Sequence, residues 1–95
     1  MYSLATVYGY AKDYEKAIPA YKKAIELCRQ YNDTTPLHKI LTNMACDYLE
    51  WKPRAEVETI ATELLTDAYH GLRFNGDFDA AEIVKSNAET LGIAL

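Results

Sequence analysis

The chain has 95 residues, 49% hydrophobic and 25% charged, with a formal net charge of −4 and a pI near 5.0. That length supports a single core, in which a domain buries only about 60–65% of the surface its unfolded chain exposes. Ten Lys and Arg are scattered among fourteen Asp and Glu, so the clustered cationic footprint of a nucleic-acid binder is absent. No apolar run approaches the roughly 18 residues of a membrane span, and Met1-Tyr2-Ser3-Leu4 does not read as a signal peptide. Cys28 and Cys46 are too few for a disulfide framework or a zinc site. The expected setting is therefore cytoplasmic and reducing, with no cofactor.

Helical spacing dominates and strand alternation is missing. Met1, Leu4, Ala5, Tyr8 and Ala11 form one stripe on a first helix, over about 2–12. Ala17, Ala20, Tyr21, Ala24, Ile25 and Cys28 do the same over 14–31, with Asp13 as the expected cap. Pro19 lies past the first turn of that helix and removes one backbone donor. A local kink is expected there, and a helix starting near Ile18 is the rival reading. Thr35 and Pro36 open a third helix over 36–51, and Lys52-Pro53 closes it, with Pro53 in the first turn of the next. The fourth helix covers 54–74, with Gly71 and Asn75-Gly76 expected to close it. Asp79-Ala80-Ala81-Glu82 has capping-box form and starts a fifth helix over 78–92.

The chain matches itself at a step of 40 residues. Met1, Leu4, Ala5 and Tyr8 fall on Leu41, Met44, Ala45 and Tyr48, and Ala17, Ala24, Ile25 and Cys28 fall on Val57, Leu64, Leu65 and Ala68. Repeated helix pairs cannot bury their apolar faces alone, so they stack. A 64-residue step instead aligns Asp77-Phe78-Asp79-Ala80-Ala81 with Asp13-Tyr14-Glu15-Lys16-Ala17, but it needs a helix break inside 54–70, where no Gly or Pro occurs. The fifth helix reads better as a terminal packing helix.

The run Leu4-Ala5 to Tyr8, then Lys12-Asp13-Tyr14-Glu15-Lys16-Ala17-Ile18, Tyr21, Ala24-Ile25 and Leu27 resembles the tetratricopeptide repeat family. The match is strongest over residues 1–28, and Lys12 departs from it where glycine is usual. The 40-residue period resembles the longer variants of kinesin-light-chain-like repeats and of bacterial peptide-pheromone receptors. The resemblance implies an all-α helical-repeat solenoid of about five antiparallel helices. Repeat 1 spans about 1–35, repeat 2 about 36–75 and a terminal helix about 77–93, all in one domain over 1–95. It also implies a non-catalytic scaffold that binds a protein or peptide segment along its concave face.

Tyr8, Tyr21 and Tyr48 belong to the packing pattern, whereas Tyr2 and Tyr10 fall beside Thr6 on another face of the first helix. In the family that face lines the groove. On the third helix it carries Lys39, Thr42, Cys46 and Glu50, and the seven residues together are the expected partner-binding set. The lysine and asparagine clamp that grips a chaperone's terminal carboxylate is not matched by Tyr2 and Thr6. Trp51 reads as a hinge or edge packing residue.

Catalytic or metal chemistry has no visible apparatus. His38 and His70 lie far apart without nearby ligand partners and read as surface residues. Asp77, Asp79 and Glu82 lack calcium-loop spacing and read as capping residues. Cys28 shares the stripe of Ala24 and Ile25 and reads as a small buried hydrophobe. The apolar tail Leu91-Gly92-Ile93-Ala94-Leu95 suggests an alternative role, self-association through apolar chain ends or extension of a longer array.

Overall fold

A computed structural model describes residues 7–31 and 37–95 of the chain. Residues 7–10 are helical, followed by α1 (Tyr14–Gln30), α2 (Leu37–Trp51), α3 (Arg54–Phe74) and α4 (Phe78–Thr90). Among the described residues there is no strand, and the architecture is the expected all-α helical repeat. Thr35, Pro36 and the first turns of the expected first helix lie outside the described residues. Each helix packs mainly on its neighbour in sequence, α1 on α2, α2 on α3 and α3 on α4. No helix among the described residues is long and apolar enough to cross a membrane.

The core follows the small-residue positions. Ala17, Ala45, Ala61, Ala68 and Ala88 are wholly buried, and the larger Tyr21, Ile40 and Leu65 fill the spaces between helices. A methyl side chain lets two helix axes approach closely, and the facing bulky residue then fills the groove beside it. Truncating a fully buried leucine such as Leu65 to alanine costs about 2–5 kcal/mol through lost transfer energy and the residual cavity.

The helix ends differ from the sequence reading in several ways. α1 begins at Tyr14 and continues past Pro19, which removes the later start near Ile18. Asp13 stands at the N-cap, yet its side chain caps nothing; its carboxylate lies 3.7 Å from the Lys16 ammonium instead. Asp79 does not cap α4. Asp77 does, accepting from the Ala80 N–H at 3.3 Å, while Asp79 sits in the first turn. Backbone angles at the two caps are nearly identical (φ −91°, ψ 68° at Asp13; φ −91°, ψ 70° at Asp77), so the neighbours decide. A lysine three residues on competes for Asp13, and an alanine leaves Asp77 free to cap. Pro53 is likewise the N-cap rather than a first-turn residue, with extended backbone (φ −54°, ψ 138°).

Three turns use the same chain reversal. In each, one N–H bonds back three residues and the next bonds back five: Lys12 to Gly9 and Asp13 to Tyr8, Gly76 to Arg73 and Asp77 to Leu72, Gly92 to Glu89 and Ile93 to Ala88. This is the Schellman pattern, and its reversing residue must adopt positive φ. Gly76 (81°) and Gly92 (76°) do so freely, but Lys12 (59°) does so with a side chain. The turn explains the 64-residue similarity without a divided helix, because α3 runs unbroken through 54–74.

The C-terminal segment does not project. Ile93 is buried, Leu91 and Leu95 pack against the core, and Arg54 donates to the carbonyls of Leu91 (2.6 Å) and Gly92 (3.0 Å). The apolar tail thus finds its cover within the chain, against the expectation of an exposed end.

Left-handed backbone costs a non-glycine residue roughly 1 kcal/mol. Lys12→Gly is therefore expected to stabilise the chain by about 1 kcal/mol, raising the melting temperature by roughly 4–8 °C in a domain of this size. Gly76→Ala should move it the other way, and thermal denaturation followed by circular dichroism reads both.

Candidate functional site

One face of α2 carries the expected residues. Lys39 and Thr42 line a cavity of about 510 Å³ between α2 and α4, together with His38, Leu72, Ile83 and Val84. Cys46 and Glu50 line a cleft of about 180 Å³ with Gly9, Tyr10, Asn43 and Asp47. The same two side chains border a third cavity of about 430 Å³ with Arg54 and Leu91. Tyr10, Cys46 and Glu50 are therefore brought together, and Lys39 and Thr42 lie further along the same helix. Tyr2 and Thr6 lie outside the described residues.

Tyr10 is 85% exposed, and Lys39 and Glu50 are exposed. Glu50 is nonetheless held, since the Tyr14 hydroxyl donates to its Oε2 at 2.6 Å. That bond, reinforced by burial and by the charges of Glu50 and Asp47, pushes the Tyr14 phenol up to about 12. Thr42 donates its hydroxyl to the His38 carbonyl within the helix (2.9 Å), so it offers a partner less than the sequence suggests. Burial, together with Asp47 and Glu50, pushes the Cys46 thiol up. It therefore stays protonated and is a poor nucleophile.

Asp47 and Asn43 escaped the sequence reading, although each sits one position along from an expected residue. Tyr21 hydrogen-bonds the Asp47 carboxyl, and Asp47 Oδ2 is buried with no hydrogen-bond partner among the described residues. Burial raises this carboxyl, the Tyr21 bond opposes that rise, and the Glu50 charge adds to it. The 7–10 segment lies directly over it; a Cβ at Gly9 would stand 2.7 Å from Oδ2. Two tyrosines of α1 thus fix two carboxyls on α2, Tyr21 with Asp47 and Tyr14 with Glu50. Trp51 closes the end of this face as an edge residue, its ring 6.3 Å from Tyr14 and 6.4 Å from Tyr48.

His38 is not a surface residue. It is 9% exposed, and both ring nitrogens are buried with no hydrogen-bond partner among the described residues. The cause is on α3, where Gly71 leaves room for the ring; a Cβ there would lie 2.6 Å from His38 Cε1. Desolvation lowers the His38 pKa below the ordinary 6.5, with the Asp77 charge opposing. His70 is exposed as expected and meets Tyr69 edge-on. Cys28 is half-buried against the core, and neither cysteine is in a disulfide. Among the described residues, no three His, Cys, Asp or Glu side chains gather to hold a metal ion.

Two pH effects follow. Tyr14 is neutral in the folded chain past the ordinary tyrosine value of 10.0, so its contribution is complete below pH 10 and is lost as pH rises towards about 12. Ultraviolet titration should show a late tyrosine that Tyr14→Phe removes. His38 has the opposite sign. Its folded pKa is lowered, so its contribution is complete above pH 6.5 and is lost as pH falls below it. The stability gap between wild type and His38→Leu, measured by urea denaturation, should therefore shift in favour of the variant between about pH 7 and pH 5.

Comparison with known proteins agrees with this geometry over the first third of the chain. The family model of the tetratricopeptide repeat matches residues 1–31, which contain the 7–10 turn and α1. No curated protein and no solved structure matches the chain. Tetratricopeptide repeats are generally protein–protein interaction scaffolds and typically non-catalytic. Over residues 1–31 this chain is similar to the tetratricopeptide repeat.

Proposed function

We propose that the chain is a non-catalytic module that binds an extended or helical peptide segment of a partner protein along the concave face of its stacked helix pairs. Repeat 1 covers about 1–35, repeat 2 about 36–75, and the helix within 77–93 closes the groove at the far side. The observation that carries the reading is the run of three cavities along a single face of α2. All five described residues of the expected set, Tyr10, Lys39, Thr42, Cys46 and Glu50, border one or more of them. Tyr10 supplies a large, rigid contact surface at low entropic cost, which suits recognition. Two cysteines outside any disulfide fit a reducing, cytoplasmic setting.

Self-association through apolar ends is the weaker reading. The tail that motivated it buries Ile93 and is tied to Arg54. The groove needs no such surface.

Peptides selected for binding from a random displayed library test the assignment. Against the double variant Tyr10→Ala, Lys39→Glu they should lose at least about tenfold in affinity, as expected when an aromatic anchor is removed. Both side chains are exposed, so stability should stay within about 0.5 kcal/mol of wild type. Peptides that bind the variant as well as the wild type would remove the groove from this face.

A further inference from the structure

The cleft beneath Tyr10 carries charge that the chain does not answer. It has a volume of about 180 Å³, and Asp47 and Glu50 line it together with Tyr10, Asn43 and Cys46. No Lys, Arg or His is among its lining residues, and residues 1–6 contain no charged side chain. Groups around the cleft feel this charge. The Glu50 hydrogen bond raises Tyr14, and burial raises Cys46 and Asp47; in all three the Glu50 charge pushes the same way, and no cation opposes it. The cations that follow Glu50 in sequence are engaged elsewhere. Lys52 lies 4.3 Å from the Trp51 ring centre, and Arg54 binds Glu58 and two carbonyls of the C-terminal segment.

Glu50 is the reachable carboxylate of the two. It is exposed, and the Tyr14 hydroxyl holds its Oε2 at 2.6 Å, so its orientation is set before anything binds. That bond occupies one lone pair and leaves the rest of the carboxylate able to accept. Asp47 supplies charge rather than contact, because its Oδ2 is closed off beside Gly9. Tyr10 adds an aromatic ring, 85% exposed, to the same lining. An acidic side chain would be repelled here, and a neutral one would strip water from Glu50 without replacing it by a charge. A divalent ion needs about six oxygen ligands, whereas no three His, Cys, Asp or Glu side chains gather among the described residues. A guanidinium meets both features, pairing its N–H groups with a carboxylate and its flat face with an aromatic ring.

We propose that the segment bound along this face carries a basic side chain, arginine in preference to lysine, that docks in the cleft against Glu50 and Tyr10. The inference rests on the groove reading and adds to it the chemistry of the partner. At the other end of the same face Lys39 and Asp77 offset each other, so the cavity there sets no such demand. The basic residue therefore marks the end of the segment that lies beside the 7–10 turn.

The test uses N-acetyl-arginine methylamide and its neutral isostere, N-acetyl-citrulline methylamide. Both are titrated into the full chain at about 20 mM salt, where exposed charges are little screened, and followed by amide nuclear magnetic resonance. The arginine probe should bind about 3- to 10-fold tighter than the citrulline probe, the difference one exposed charge pair with an aromatic neighbour makes. Shifts should centre on Tyr10, Cys46 and Glu50. In Glu50→Gln, which keeps an acceptor for Tyr14, the ratio should fall to near one. In Glu63→Gln, which changes an exposed acid of α3 outside the cleft, it should stay. Equal affinities in the wild type, a preference that survives in Glu50→Gln, or shifts elsewhere would each overturn the docking cleft. Tyr10→Ala removes only an exposed ring and should weaken the arginine probe about 2- to 5-fold. Unchanged binding in that variant would refute the location. Selected peptides that depend on Tyr10 and Lys39, yet lose nothing when their arginines and lysines become citrulline and norleucine, would remove the basic residue and leave the groove. Seating of the arginine probe on Glu50 with no selected peptide at all would keep the cleft and remove the groove.

Discussion

Close approach between neighbouring helices, made possible by alanine at the contact points, governs the rest of this structure. Ala17, Ala45, Ala61, Ala68 and Ala88 have no exposed surface, and each places a backbone where a larger side chain would hold it off. With axes so close, the tyrosines of α1 reach polar groups on α2, and Gly71 on α3 can receive the ring of His38 from α2. The face of α2 is therefore defined from behind, by residues that no partner would touch. Widening one contact by a methylene would disturb the core and this face of α2 together, because the same spacing sets both.

That dependence gives this face its electrostatic character. Its carboxyls are held by phenolic hydroxyls rather than by cations, Tyr14 on Glu50 and Tyr21 on Asp47. A neutral donor orients a carboxylate without cancelling its charge, so the cleft beneath Tyr10 stays electronegative. Arg54, the cation bordering the adjacent cavity, is already committed to Glu58 and to two carbonyls of the C-terminal segment. Lys39 lies further along, in the cavity facing α4. Charge is thus unevenly distributed along a single helix face, which sets direction as well as contact for any segment lying on it.

Helix positions were legible in the sequence because punctuation is local. Pro53, Asn75-Gly76 and the alanine-rich stripes sit where α2, α3 and α4 begin, end and pack. What the sequence did not show was anything decided by a side chain far along the chain. The burial of His38 depends on the absence of a Cβ at Gly71, and no pattern around His38 announces it. Asp13 and Asp77 have the same backbone and differ in whether they cap, because Lys16 competes in one turn and Ala80 does not in the other. Five of the residues that helical spacing singled out border these cavities, whereas Asp47 and Asn43, which border them too, were passed over. Spacing assigns a face to about a quarter turn, and adjacent residues at its edge are a matter of helix rotation. The apolar tail misled for a related reason, since its cover is supplied by α3 and by the Arg54 hydrogen bonds.

Packing confined mainly to sequence neighbours has a kinetic consequence. When α1 rests on α2, α2 on α3 and α3 on α4, no stabilising surface needs distant segments to meet first. The loops to be closed are short, so the entropic barrier is low, and acquisition of structure is expected to be fast for a domain of this size. It can also start at any helix pair and spread outward. Loss of structure runs the same way in reverse. The outer helices, each with a single main neighbour, detach before the α2–α3 centre comes apart. The cavity-lined face of α2 sits at that centre, so it belongs to the last part of the molecule to melt.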